Sequence, residues 1–150
     1  MSATEIGAAQ RLLYGRRRGR GLRPGQRLLF DTRLPALRFA LPHEGTLDPQ
    51  RLFAAPVAAI WLEIGFGGGE HVAAQAALHP AIGMLGAEVF ENGVAKLVAE
   101  IERRSLDNIR LFVDDGRLLL AALPDGAIAF DDLAVESVDD EGIPVWEDAP

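Results

Sequence analysis

A chain of 150 residues with 49% hydrophobic content suits one globular domain with a sizeable core. It has no cysteine, and its three histidines (His43, His71, His79) lie far apart, which excludes a disulfide framework and a thiolate nucleophile and leads us to expect no metal site. It holds no run of about 18 apolar residues and no basic start leading into an apolar stretch, so neither a membrane span nor a secretory leader is expected and a cytoplasmic protein is the simplest reading.

The net charge of −7 conceals two opposite ends. Residues 1–38 carry nine arginines against Glu5 and Asp31, a net of +7, whereas residues 114–150 carry eleven acids against Arg117, a net of −10. A basic arm on an acidic body points to a polyanion partner such as a nucleic acid. The competing reading is that the arm pairs with the chain's own acidic surface.

In chain order, residues 1–40 read as a basic, partly flexible arm. The run Gly15-Arg16-Arg17-Arg18-Gly19-Arg20-Gly21 is expected to stay unpacked, because its charges repel and its glycines raise the entropy lost on ordering. Arg23-Pro24-Gly25 reads as a turn, and Leu28, Leu29, Phe30, Leu34, Leu37, Phe39 and Leu41 as a short helix or an extended segment against a core. Pro42, Gly45, Pro49 and Pro56 then interrupt a linker, with one helical turn expected after Asp48.

Residues 41–130 form the expected core. The apolar run 58–66 suggests a parallel strand buried on both faces. A helix over 70–79, with Val72, Ala73, Ala76 and Ala77 inward, stops at Pro80. A second strand covers 82–89. The clearest amphipathic helix, 92–104, places Val94, Leu97, Val98 and Ile101 on one face. A third strand covers 109–113, a short helix 117–123 and a candidate fourth strand 127–130. Residues 131–150 make an acidic tail, with edge strands conceivable over 133–138 and 143–146.

Strand, glycine turn and helix over residues 57–71 is the shape of the first half of a nucleotide- or cofactor-binding unit. Three acids fall at strand ends: Glu63 before the glycines, Glu88 after the second strand, and Asp115 (or Asp114) after the third. In an open parallel sheet, ligands sit beyond these carboxyl ends. Glu88 follows the glycines by 19 to 23 residues, the interval at which a carboxylate reaches ribose hydroxyls. Gly65 and Gly67 satisfy the first two glycines of a dinucleotide fingerprint, but Glu70 stands where the third belongs. No Gly-Lys-Ser/Thr follows, so the phosphate-loop reading fails. Three carboxylates would repel a pyrophosphate and suit a cationic adenosyl ligand such as S-adenosylmethionine. The bland alternative is that strand-end acids cap the following helices.

At these residues the chain resembles the bacterial tRNA (guanine-N7)-methyltransferases. The segments that carry the likeness are YGRRRGRGLRPGQ at 14–26, RLPALRFALP at 33–42, WLEIGFGGGEHVAAQAALHP at 61–80, GAEVFENGVAKLVAEIE at 86–102 and NIRLFVDDGRLLLAALPDG at 108–126, together spanning about 11–128. The resemblance implies an α/β, Rossmann-like S-adenosylmethionine-dependent methyltransferase fold. It also implies methyl transfer to N7 of a guanine in the tRNA variable loop. Carried over by motif, Glu63, Gly65, Gly67, Glu88 and Asp115 would contact the cofactor. Arg16, Arg17, Arg18 and Arg20 would help to hold tRNA through its phosphates.

The likeness stops near Ile128. The family's Phe-Pro-Asp-Pro-Trp segment, which supplies its catalytic aspartate, does not occur in this sequence, and the last 22 residues are acidic where the family is basic. No catalytic residue is therefore transferred. A truncated or frame-shifted enzyme is the expected explanation, with an unrelated C-terminal ending as the alternative. A non-catalytic cofactor- or RNA-binding remnant of the fold is the corresponding functional alternative.

Overall fold

In the computed structural model, the structure describes residues 17–129 together with the two short strands Ser137–Val138 and Pro144–Val145. The elements in order are helix α1 (Pro24–Leu37), a 3-10 turn (Pro49–Leu52), strand β1 (Ala59–Ile64), helix α2 (Glu70–Leu78), strand β2 (Ile82–Ala87), helix α3 (Glu91–Arg104), strand β3 (Ile109–Phe112) and helix α4 (Gly116–Ala122). The two short strands, β4 (Ser137–Val138) and β5 (Pro144–Val145), pair antiparallel. The rest of the acidic tail, including most of the expected edge strands, lies outside the described residues.

β1, β2 and β3 form a parallel sheet in that order. Alternate side chains leave its two faces and feed two cores. On one face Met84, Ile109 and Leu111 meet Leu34 and Leu37 of α1, Val72, Ala73 and Ala76 of α2, and Val94, Leu97, Val98 and Ile101 of α3. On the other, Ile60, Leu85, Ala87 and Phe112 meet Phe39, Phe53 and Leu119. A sheet covered on both sides explains why the strands read as nearly continuous apolar runs. The parallel sheet with its helices is the α/β architecture expected of a Rossmann-like methyltransferase.

Three sequence expectations need correction. The turn expected at Arg23-Pro24-Gly25 is the start of a helix over residues 24–37, which packs into the first core and so takes the helical one of the two alternatives expected for its apolar residues. Pro24 occupies the first helical turn, where a missing N–H costs nothing, and the Gln26 side chain accepts a hydrogen bond from the Arg23 N–H at 3.2 Å. Ala77 is exposed, because one more residue along α2 rotates it off the buried stripe of Val72, Ala73 and Ala76. Finally, 127–129 form no strand, and Phe130 lies outside the described residues. The Ala129 N–H donates to the Ile60 carbonyl at 3.0 Å, the single hydrogen bond that joins the described part of this segment to β1. The outer edge of β3 is covered likewise by Arg38 and Phe39, with Phe39 N–H donating to Leu111.

Candidate cofactor site

The carboxyl ends of the three strands finish level. The Gly65 N–H donates to the Ala87 carbonyl at 2.7 Å and the Glu88 N–H to the Phe112 carbonyl at 3.1 Å, extending the ladder just past the strands. The chain then turns through Gly65 (φ 71°), Gly67 (φ 60°) and Gly69 (φ 77°), left-handed values that side chains resist. A Cβ at Gly65 or Gly67 would meet nothing within 4 Å, so open space lies against this turn.

The inner side of the turn is crowded. A Cβ on Gly93, in the first turn of α3, would stand 2.0 Å from the Gly67 carbonyl oxygen. Glu88 binds the same two elements together. Its Oε2 accepts from the Gly67 N–H at 2.9 Å, and its Oε1 accepts from the Val89 and Phe90 N–H groups at 3.1 Å each. One carboxylate thus satisfies two N–H groups at the entrance of α3 and holds the glycine turn against it. The ligand-contact and helix-capping readings of Glu88 are therefore compatible: the backbone donors take part of its accepting capacity.

Glu63 sits on the face of β1 that looks toward α2, and its Oε2 lies 3.1 Å from Nδ1 of His71. Asp115 caps α4, accepting from the Arg117 N–H at 3.0 Å, and is only 8% exposed. Its carboxylate also takes the Arg117 guanidinium, with Nη2 at 2.6 Å, and this hydrogen bond holds it below the usual carboxylate range despite burial. Gly116 brings Asp115 back over the end of β1, since a Cβ there would lie 2.6 Å from Cγ2 of Ile64. Asp114 is the more accessible acid; its Oδ1 accepts from the Asp115 N–H at 2.7 Å. Glu63, Gly65, Gly67, Glu88 and Asp115 therefore stand along one edge of the sheet.

The basic arm also reaches this edge. The Arg17 carbonyl accepts from the Glu91 N–H at 2.8 Å. Asn92 grips the arm twice, accepting from the Gly19 N–H at 2.9 Å and donating to the Arg20 carbonyl at 2.6 Å. Gly19 packs closely against the Phe90 ring, where a Cβ would come within 2.9 Å of a ring carbon. Glu91 pairs with Arg18 and Arg27 at 3.1 Å each, and Arg17 stands 3.8 Å from Asp114. Residues 17–20 are thus docked rather than unpacked, because the start of α3 offers unmatched N–H groups and a side-chain amide. Arg16 lies outside the described residues. Part of the charge is spent on the chain's own acids, yet Arg18 remains 86% exposed and Arg20 makes no ion pair among the described residues.

Sequence reasoning missed His71, Asn92 and Gly93. Only Gly93 carried a signal, a helix-disfavoured residue inside a strong helix, which marks close backbone approach. A concavity of about 420 Å³ lies elsewhere, at the start of β1, and one of about 270 Å³ beside the Phe39–Phe112 pair is lined in part by Asp114. The glycine edge itself is open, with Ile64 46% exposed, so its shape is a ledge and not an enclosed cavity. Among the described residues no group of histidines and acids is arranged to hold a metal ion, and no helix is long and apolar enough to cross a membrane.

Comparison with known proteins adds independent weight. A family model described as "Putative methyltransferase" matches residues 57–130, which run from the start of β1 past α4. The tRNA (guanine-N(7)-)-methyltransferase of Rhodospirillum rubrum is 52% identical over 118 residues, 77% of this chain and 46% of that protein. The chain belongs to this methyltransferase family. Relatives of the same name from Paramagnetospirillum magneticum and Rhodopseudomonas palustris (strain BisB18) are each 46% identical, over 77% and 83% of the chain and 49% of either protein. The chain spans about half the length of the curated relatives it matches.

Proposed function

We propose that this chain carries the cofactor half of a tRNA (guanine-N7)-methyltransferase, binding S-adenosylmethionine along the glycine edge for methyl transfer to guanine N7 in the tRNA variable loop. The observation that carries the reading is Glu88, fixed at the end of β2 with one oxygen on the Gly67 N–H. Open space beside Gly65 and Gly67 and a row of carboxylates fit an adenosyl ligand with a cationic amino-acid end.

In this reading Glu63 meets the ammonium and Glu88 the ribose hydroxyls. Asp115 meets the adenine edge, with Asp114 as the alternative because Arg117 already engages Asp115. Gly65 and Gly67 leave the approach unobstructed. When bound, the cofactor supplies an electrophilic methyl on sulfur. Guanine N7 is already a nucleophile, so what the protein must do is hold base and methyl in line. No residue of this chain is assigned the catalytic role. Arg16, Arg17, Arg18 and Arg20 contribute phosphate contacts that weaken with salt. A cytoplasmic location follows from the substrate.

The test is transfer of labelled methyl from S-adenosylmethionine to unmodified tRNA by the purified chain, mapped by cleavage at N7-methylguanine. Positioning alone predicts incorporation at the variable-loop guanine, slower than in relatives that carry the segment with the catalytic aspartate. None at saturating cofactor and tRNA would overturn the transfer claim.

A further inference from the structure

Glu63 is a carboxylate in a strand otherwise apolar on that face, and such a group is costly without a partner. Its neighbour across the sheet, Gly86, has no side chain to offer. The Phe66 ring lies over Gly86 instead, where a Cβ would come within 2.8 Å of it. The partner comes from α2: Nδ1 of His71, the second residue of that helix, 3.1 Å from Oε2. An ionised carboxylate only accepts, so Nδ1 is the donor in this pair. The other oxygen, Oε1, makes no hydrogen bond among the described residues, and the Glu63 side chain is 29% exposed.

We infer that His71 is a positioning residue for the cofactor's amino-acid end: its Nδ1–H pins one oxygen of Glu63 and turns the other toward the ammonium. This deepens the reading under Proposed function and rests on it. The choice of residue is chemically apt. Nδ1–H of an imidazole can orient a carboxylate without the fixed positive charge of lysine or arginine, which there would compete with the ligand's own cation. Holding the carboxylate in one rotamer before binding also removes an ordering cost from association.

The test is calorimetric titration of the full chain with two ligands, S-adenosylmethionine and 5′-methylthioadenosine, which lacks the amino-acid end. His71→Ala should weaken S-adenosylmethionine about tenfold, the loss of one hydrogen bond to a charged group, and leave methylthioadenosine unchanged. His71→Asn, whose amide nitrogen occupies the place of Nδ1, should restore most of the affinity. S-adenosylmethionine binding indifferent to His71→Ala would overturn the inference alone. So would equal weakening of both ligands, which would mark a merely structural role. Absence of S-adenosylmethionine binding by the unaltered chain would overturn the functional reading and this inference with it.

Discussion

At Gly93 two opposed effects of one methyl group meet. Alanine is the better helix former by about 1 kcal/mol. Yet its Cβ would stand 2.0 Å from the Gly67 carbonyl oxygen, a backbone atom that can move only if the glycine turn leaves α3. The clash wins: Gly93→Ala should destabilise the fold by about 2–3 kcal/mol in urea unfolding and loosen the bond between Glu88 and Gly67. An unchanged midpoint would show that turn and helix do not touch as described. At this scale the sequence is legible only where chemistry is local. Glu63, Glu88 and Asp115 stand out as acids ending apolar runs. The partners of Glu63 and Gly19, His71 and Asn92, lie 8 and 73 positions away and carry no mark. Asn108 is similar: buried at 4% exposure, its amide reaches the carbonyls of Ala76, His79 and Ile82, which only the folded chain brings together.

Among the elements, the strand and helix order from β1 to α4 was readable because two periods alternate, continuous apolar runs and the repeat of α3. α1 was not. Its apolar residues give no clean stripe, Pro35 interrupts its last turn, and the arginines on either side suggest a solvated arm. Its fate is decided by Leu34 and Leu37, buried against α3 and β3. Leu34→Ala should therefore cost about 3 kcal/mol, a core value, in chemical denaturation. A cost below about 0.5 kcal/mol, typical of exposed sites, would return α1 to the arm. The fourth strand was over-read for a related reason. The apolar residues 127–130 suit a strand, but a strand needs a continuous ladder, and of the described residues of this segment only Ala129 donates its N–H to β1.

For the whole molecule, the parallel sheet converts scattered residues into one edge. Parallel strands must all end on the same side, so the acids after β1, β2 and β3 are brought level by topology rather than by proximity in the chain. The docked arm brings positive charge to that edge, Arg17 within 3.8 Å of Asp114, which places the charge expected to meet RNA beside the acids expected to meet the cofactor. Family membership rests on sequence shared across most of this chain and about half of each relative. The cofactor claim rests on the edge itself and is tested without any RNA. Calorimetric titration of S-adenosylmethionine into the chain and into Glu88→Gln measures it directly. One site is predicted for the unaltered chain, weakened tenfold or more by the substitution, in proportion to lost hydrogen bonds to a charged acceptor. No heat of binding to the unaltered chain, or equal affinity for both, would contradict a cofactor site at the glycine edge.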